Sequence, residues 1–259
     1  MSLYCRMKIT LAKIYIPFQA QLTTHIDSFE TSGIQFGDLG RNSIKLFDLN
    51  GEQINIKSFK VPNVINQVVY NFFRKSKAQR SFEYASKLLS LGIGTPKPIA
   101  FYEYPTVFLF KKSFYISEHV NCDLTYRELT TNLEYPDSET IIRAFTRFTY
   151  NLHENGVNFL DHSPGNTLIT KTKDSYDFSI VDLNRMKFGK MDFNTRITNF
   201  AKLTIHKSII EIMSDEYAKL INEDYDKVFN LMWKETSDFQ KKFYRKDRIK
   251  LKLKFWKRG

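Results

Sequence analysis

The sequence predicts an α+β fold, with strands gathered in its first half and helices dominating its second, from three observations. Residues 44–48 and 53–59 are apolar-rich runs joined across Asn50-Gly51, the dipeptide preferred in a two-residue hairpin turn. Ile141, Phe145, Phe148 and Leu152 recur at helical spacing ahead of Gly156, where a helix would stop. Further on, 167–170 and 178–181 are apolar runs flanking a polar turn at 171–177, a second hairpin. With 259 residues, 42% hydrophobic and 15% aromatic, the chain can bury a substantial core, which excludes a disordered segment. It shows no internal repeat and no long low-complexity linker.

The elements follow in order. Near the N-terminus Lys8 and Lys13 interrupt the apolar residues and Pro17 ends the run, which reads as a strand and not as a signal peptide. After the first hairpin, Val61-Pro62 breaks the strand, and 63–91 has helical character up to Gly92, with Glu83 in its second half and Leu88 and Leu89 at core-like spacing. The run 114–120, FYISEHV, reads as a strand leading into a linker, so a boundary between two parts is expected near 119–124. Helices are expected over 124–129 and 138–155, followed by a short strand at 157–160. The larger part is thus the C-terminal one, and the helices after Arg196 carry no readable motif. Cys5 and Cys122 form neither a disulfide framework nor a metal-ligand cluster, which points to a reducing cytoplasm. No apolar stretch approaches the roughly 20 residues needed to span a bilayer.

The stretch LHENGVNFLDHSPGNTLITKTKDSYDFSIVDLNR, 152–185, carries the chemistry. Asp161 opens a loop where a carboxylate can accept or orient the proton of an attacking hydroxyl. Asn166, five residues on, and Asp182, at the end of the second hairpin, offer hard oxygen ligands of the kind magnesium takes beside ATP phosphates. The hairpin brings Asn166 and Asp182 to the same end. His153 reads as a residue that holds the loop by packing.

This stretch resembles the catalytic region of the protein-kinase-like superfamily, with Asp161 matching the catalytic Asp, Asn166 the metal-binding Asn and Asp182 the metal-binding Asp. Phe159-Leu160-Asp161 stands where a eukaryotic protein kinase has His-Arg-Asp, Asp182-Leu183-Asn184 replaces Asp-Phe-Gly, and no Ala-Pro-Glu follows. These departures speak against activation-loop control and protein substrates. The resemblance implies a two-lobe fold in a single domain, a sheet-rich N-lobe over about 1–119 and a mostly helical C-lobe over about 120–240. It also implies the remaining parts. Ile54-Asn55-Ile56-Lys57 resembles the strand that places a Lys on the nucleotide phosphates. Strand periodicity leaves Lys60 as a competitor, and the family pattern favours Lys57 because it follows the apolar pair directly. Glu83 would pair with Lys57, and Glu118 to Val120 would form the adenine hinge. The phosphate-covering loop would lie at 37–42, where Arg41 could meet phosphate, although Gly33, Gly37 and Gly40 do not form the usual Gly-rich pattern.

A narrower resemblance covers most of the first 190 residues. GRNSIKLF, INIKSFKVPNVINQVVYNFFRKSKAQRSFEYASKLLSLGIGTPKPIAFYE, DHSPGNTLI and VDLNRMKF look like the bacterial lipopolysaccharide kinase family, which includes Kdo and heptose kinases. It implies magnesium-ATP-dependent phosphorylation of a sugar hydroxyl on the lipopolysaccharide inner core. Arg74, Lys75, Lys77 and Arg80 are then either a solvated basic face or contacts to phosphates of an anionic glycolipid. A protein or RNA-associated kinase and an ATP-binding pseudokinase are the alternatives.

Charge is concentrated at the C-terminus. Residues 241–259 hold ten Lys or Arg and one Asp, which is +9 of the chain's net +11. Ile249, Leu251, Leu253 and Phe255 alternate with Arg248, Lys250, Lys252 and Lys254, so a basic tail with an apolar side could meet an anionic membrane surface. That would place the enzyme in the cytoplasm, peripheral on the inner membrane, with nucleic acid as a competing partner for the same charge.

Overall fold

Asn50 and Gly51 both take positive φ, 55° and 86°, and join β3 (Asn42–Leu49) to β4 (Glu52–Phe59), with Leu49 opposite Glu52. This is the expected two-residue hairpin. The computed structural model describes residues 7–37, 42–60, 74–105 and 110–256. Arg41, most of the expected phosphate-covering loop, Cys5 and the first part of the expected 63–91 helix lie outside these residues. By packing, the described residues up to Asn121, together with 181–184, form one unit, and 122–180 with the residues from Arg185 onward form another.

In the first unit, β1 (Lys8–Leu11), β2 (Ile34–Phe36), β5 (Pro98–Pro105) and β6 (Phe110–Glu118) join the hairpin in a six-stranded antiparallel sheet of order β1-β5-β6-β4-β3-β2. Alternation sorts its two faces. Ile54, Ile56, Phe114, Ile116 and Tyr102 pack with Leu22 and Ile26 of helix α1 (Gln19–Asp27). Phe59, Phe101 and Tyr115 meet Ala78 and Phe82 of α2 (Lys77–Ser90) on the other face. Ser76 caps α2, its Oγ accepting from the Gln79 N–H at 3.0 Å, and Gly92 at φ 70° ends the turn that follows.

The second unit is mostly helical. The expected helix at 124–129 begins instead as β7 (Leu124–Thr125), because Thr125 caps α3 (Tyr126–Thr131) in a capping box with Glu128. Then come α4 (Ser138–Glu154), β8 (Val157–Phe159), β9 (Thr167–Lys171), β10 (Tyr176–Ile180), β11 (Met186–Phe188), α5 (Phe193–Thr198), α6 (Lys207–Ile221) and α7 (Tyr225–Trp256). β9 and β10 form the second expected hairpin, and β7 adds to its other edge. The apolar stripe of α4 supplies Ile141 and Phe145 to a core with Tyr126, Phe178, Phe200, Met213 and Tyr217. Gly156 is needed where α4 ends, since its φ is 66° and a Cβ would stand 2.7 Å from the Gly189 carbonyl oxygen.

The basic C-terminal run differs from its expected form. It continues α7 as far as Trp256, and on a helix residues two apart stand about 200° around the axis. The apolar-basic alternation therefore does not divide it into two faces. Over 239–248 the helical period instead puts Phe239, Phe243 and Tyr244 on one arc and Lys241, Lys242, Arg245, Lys246 and Arg248 on the other.

Candidate active site

Two sets of side chains, one in each unit, contain the expected chemistry. In the first unit, Lys57 extends from the α2 side of β4, half-buried among Phe59 and Tyr115, and its Nζ donates to Asp182 Oδ1 at 2.7 Å. Lys60 lies just beyond the strand and is exposed. Asp182 follows β10 by two residues, takes φ 59°, and accepts a second bond on Oδ1 from Asn184 Nδ2 at 2.7 Å. The buried Leu183 side chain anchors this short turn.

Glu83 does not pair with Lys57. Its carboxylate is held by Lys75 Nζ at 2.8 and 2.9 Å and by Gln79 Nε2 at 3.0 Å. Lys75 enters α2 beside the first turn and Gln79 stands one turn before Glu83, so local geometry satisfies the carboxylate. Asp182 satisfies the lysine from 125 residues away.

At the expected hinge, the Glu118 N–H donates to the Lys97 carbonyl and the His119 N–H to the Gln53 carbonyl, each at 3.0 Å. The Glu118 carboxylate accepts from Tyr15 Oη at 2.7 Å and pairs with Lys97 at 3.4 Å. Burial, with that carboxylate beside it, pushes the Tyr15 phenol up to about 12.

In the second unit, β8 and β11 pair antiparallel, and the Leu160 N–H continues their ladder to the Arg185 carbonyl at 3.1 Å. This puts Arg185 beside Asp161, whose Oδ1 accepts from Arg185 Nη1 at 2.9 Å and lies 3.9 Å from Lys202 Nζ. Both cations converge on one carboxylate oxygen. Asn166 closes the loop by donating Nδ2 to the Asp161 carbonyl at 2.8 Å.

Asp182 in the first unit and Asn166 in the second each carry a hard oxygen of the kind magnesium takes. Among the described residues no group of three or more His, Cys, Asp or Glu gathers.

A buried network that the sequence did not reveal fixes the loop. Asn199, at the C-cap of α5, donates Nδ2 to the Phe159 carbonyl at 2.9 Å and to Asn158 Oδ1 at 3.1 Å. Its Oδ1 must then accept, from His153 Nε2 at 3.2 Å and His162 Nδ1 at 3.1 Å. His153 Nδ1 in turn accepts from Tyr217 Oη at 2.7 Å. His153 therefore holds the loop through hydrogen bonds as well as packing. No spacing rule singles out Asn199, because its partners come from β8, α4 and the loop.

Both imidazoles are kept neutral. Burial is the main cause in each, lowering His162 to about 4, with Lys202 adding repulsion, and His153 to about 3, with His162 and Arg196 adding theirs. The unfolded chain takes up these protons near pH 6.5, so their contribution is complete above that pH and is lost as pH falls toward the folded values. Each ring is expected to cost about 1.4 kcal/mol per pH unit across that window. Urea midpoints at pH 7 and pH 5 check this, and His162→Gln should show a smaller drop between the two than the unmodified protein.

Comparison with known proteins decides the family. The family model for "Lipopolysaccharide kinase (Kdo/WaaP) family" matches residues 48–224, more than half of the chain. The chain belongs to the lipopolysaccharide kinase (Kdo/WaaP) family. The match runs from the β3–β4 hairpin past Asp161, Asn166 and Asp182 to the end of α6, and it makes the protein a kinase. Among solved structures, "WaaP in complex with acyl carrier protein" superposes with a TM-score of 0.63 at 14% identity, covering 89% of this chain and 98% of that one. At that identity the likeness concerns the fold alone. In all, 1298 solved chains match, so the architecture by itself selects no substrate. No curated protein matches the chain in sequence.

Proposed function

We propose that this lipopolysaccharide kinase transfers the γ-phosphate of magnesium-ATP to a hydroxyl of a Kdo or heptose sugar in the lipopolysaccharide inner core. The observation that carries the reading is the Asp161 carboxylate, whose Oδ1 accepts from Arg185 with Lys202 3.9 Å away. Asp161 orients the acceptor hydroxyl and takes its proton as the oxygen bonds to the γ-phosphorus and the bond to the β–γ bridging oxygen breaks, releasing ADP. Lys57 faces the nucleotide phosphates. Asn166 and Asp182 hold magnesium, which when bound neutralises charge on the phosphates, and the Val120 amide meets the adenine.

The test is transfer of labelled γ-phosphate to a Kdo-bearing lipid A precursor, run beside an Asp161 variant. Labelled glycolipid made only by the unmodified protein supports the reading. Absence of label, with ATP still raising the melting temperature, redirects the search to protein, RNA or small-molecule acceptors.

The basic arc of α7 would bring the enzyme to its lipid substrate at the cytoplasmic face of the inner membrane. Phe243 and Tyr244 are about half exposed beside Lys241, Lys242, Arg245, Lys246 and Arg248. Each basic residue near an anionic surface contributes about 1 kcal/mol, so replacing Lys241, Lys242 and Arg245 with Ser should weaken binding to phosphatidylglycerol vesicles by roughly 100-fold. Sedimentation with vesicles at low salt measures this. Unchanged vesicle binding, or a selective loss of RNA binding, would point the arc elsewhere.

A further inference from the structure

Arg185 and Lys202 both serve one oxygen of Asp161, at 2.9 and 3.9 Å. A single cation suffices to hold a lone carboxylate, so the difference between the two matters. Lys202 is 35% exposed, and its ammonium is anchored on the Leu160 carbonyl. Arg185 is 57% exposed, and among the described residues Asp161 is the one group its guanidinium bonds. A pair with that exposure is weak, because water and salt screen it. The backbone of Arg185 is fixed nonetheless, by the pairing of β8 with β11 and by the Leu160 N–H bonded to its carbonyl at 3.1 Å. Arg185 is thus an exposed cation, fixed at its backbone and lightly tied at its tip.

Phosphoryl transfer needs a cation at this place. A hydroxyl that gives its proton to Asp161 stands about 3–3.5 Å from the phosphorus it attacks, so the γ-phosphoryl lies roughly 6 Å from the carboxylate that Arg185 touches. In the transition state its charge spreads over three oxygens. The loop itself offers nothing positive: residues 161–166 read Asp-His-Ser-Pro-Gly-Asn, and burial holds His162 neutral by lowering it to about 4. A guanidinium carries five N–H donors in a rigid planar fork that matches phosphate oxygens, and Asp161 takes one of them.

We infer that Arg185 is a further catalytic residue: its guanidinium turns from Asp161 to the γ-phosphate of bound ATP and stays on the phosphoryl group during transfer, while Lys202 remains as the counter-ion of Asp161. The assignment rests on Asp161 as the residue that orients the acceptor. Arg185 forms no covalent bond and moves no proton. The phosphoryl group passes from the β–γ bridging oxygen to the acceptor oxygen, and the hydroxyl proton goes to Asp161.

Calorimetric titration of the full chain with magnesium-ATP and with magnesium-ADP tests this without an acceptor, and so does not depend on which sugar is phosphorylated. Arg185→Met should weaken ATP binding about ten-fold, the worth of one hydrogen bond to a charged group, and leave ADP binding within about two-fold. Lys202→Met and Asp161→Asn should lower turnover yet leave the ratio of ATP to ADP affinity unchanged, because neither side chain meets the nucleotide. Arg185→Lys should keep part of the ATP preference, which separates loss of the contact from loss of fold. In turnover, Arg185→Met should cost about 10²- to 10³-fold, as for other donors aimed at developing charge. Turnover lost with both affinities unmoved would make Arg185 a holder of Asp161 alone and overturn the assignment, and an equal loss of ATP and ADP affinity overturns it too. An ATP preference that depends on Arg185, without glycolipid phosphorylation, keeps the assignment and removes the Kdo or heptose reading. Glycolipid phosphorylation with an ATP preference indifferent to Arg185 does the reverse.

Discussion

Asp161→Asn is expected to lower kcat by about 10²- to 10⁴-fold, the usual worth of a positioned acid or base, while the affinity for ATP stays within about two-fold. The substitution keeps the shape of the side chain but removes the charge on which Arg185, at 2.9 Å, and Lys202, at 3.9 Å, converge. The amide cannot take the hydroxyl proton, and two cations lose their anion. In free energy the loss is about 3–5 kcal/mol of barrier. Single-turnover transfer and ATP titration separate the two effects. If ATP binding fell as steeply as turnover, Asp161 would be holding the nucleotide, and its proposed role with the acceptor would be wrong.

Asn199→Ala is expected to cost about 3–5 kcal/mol of stability. The side chain joins four groups: it donates to the Phe159 carbonyl and Asn158, and it accepts from His153 and His162. Truncation strands buried donors and acceptors on β8, α4 and the Asp161 loop, and each unsatisfied buried group costs about 1–3 kcal/mol. The effects overlap because the groups share one network, so the total stays below their sum. Urea denaturation measures it. A loss under about 1 kcal/mol would mean that packing alone holds the loop. Activity should fall further than the folded fraction, because the carbonyl of Phe159 lies two residues before Asp161.

Much of this protein was legible in local sequence. The β3–β4 hairpin follows from Asn50-Gly51 between alternating runs, since a two-residue turn with positive φ sets its own register. Helix α4 follows from the spacing of Ile141, Phe145 and Leu152, all fully buried in the structure. Asp161, Asn166 and Asp182 stood out because their order within one short stretch is itself a chemical pattern. The strands β2 and β5 and the helix α1 were not legible, because their apolar residues form no period strong enough to be separated from loops.

Partner choice was decided only by tertiary structure. Whether Lys57 or Lys60 turns inward, that Lys57 meets Asp182, and that Glu83 stays with Lys75 depend on sheet register and on contacts up to 125 residues apart. Arg185 reaches Asp161 because β11 pairs with β8, and Asn199 gathers its partners because α5 ends beside them. The basic run at the C-terminus shows the same limit from the other side, for its alternation suggested a basic face and an apolar face and the chain winds it into helix. Local pattern determines which side chains can take part, because propensity and periodicity act over one or two turns. Which of them meet is set by packing of elements far apart in sequence, where the favoured pairing is the one that leaves fewest buried charges and hydrogen-bonding groups unsatisfied.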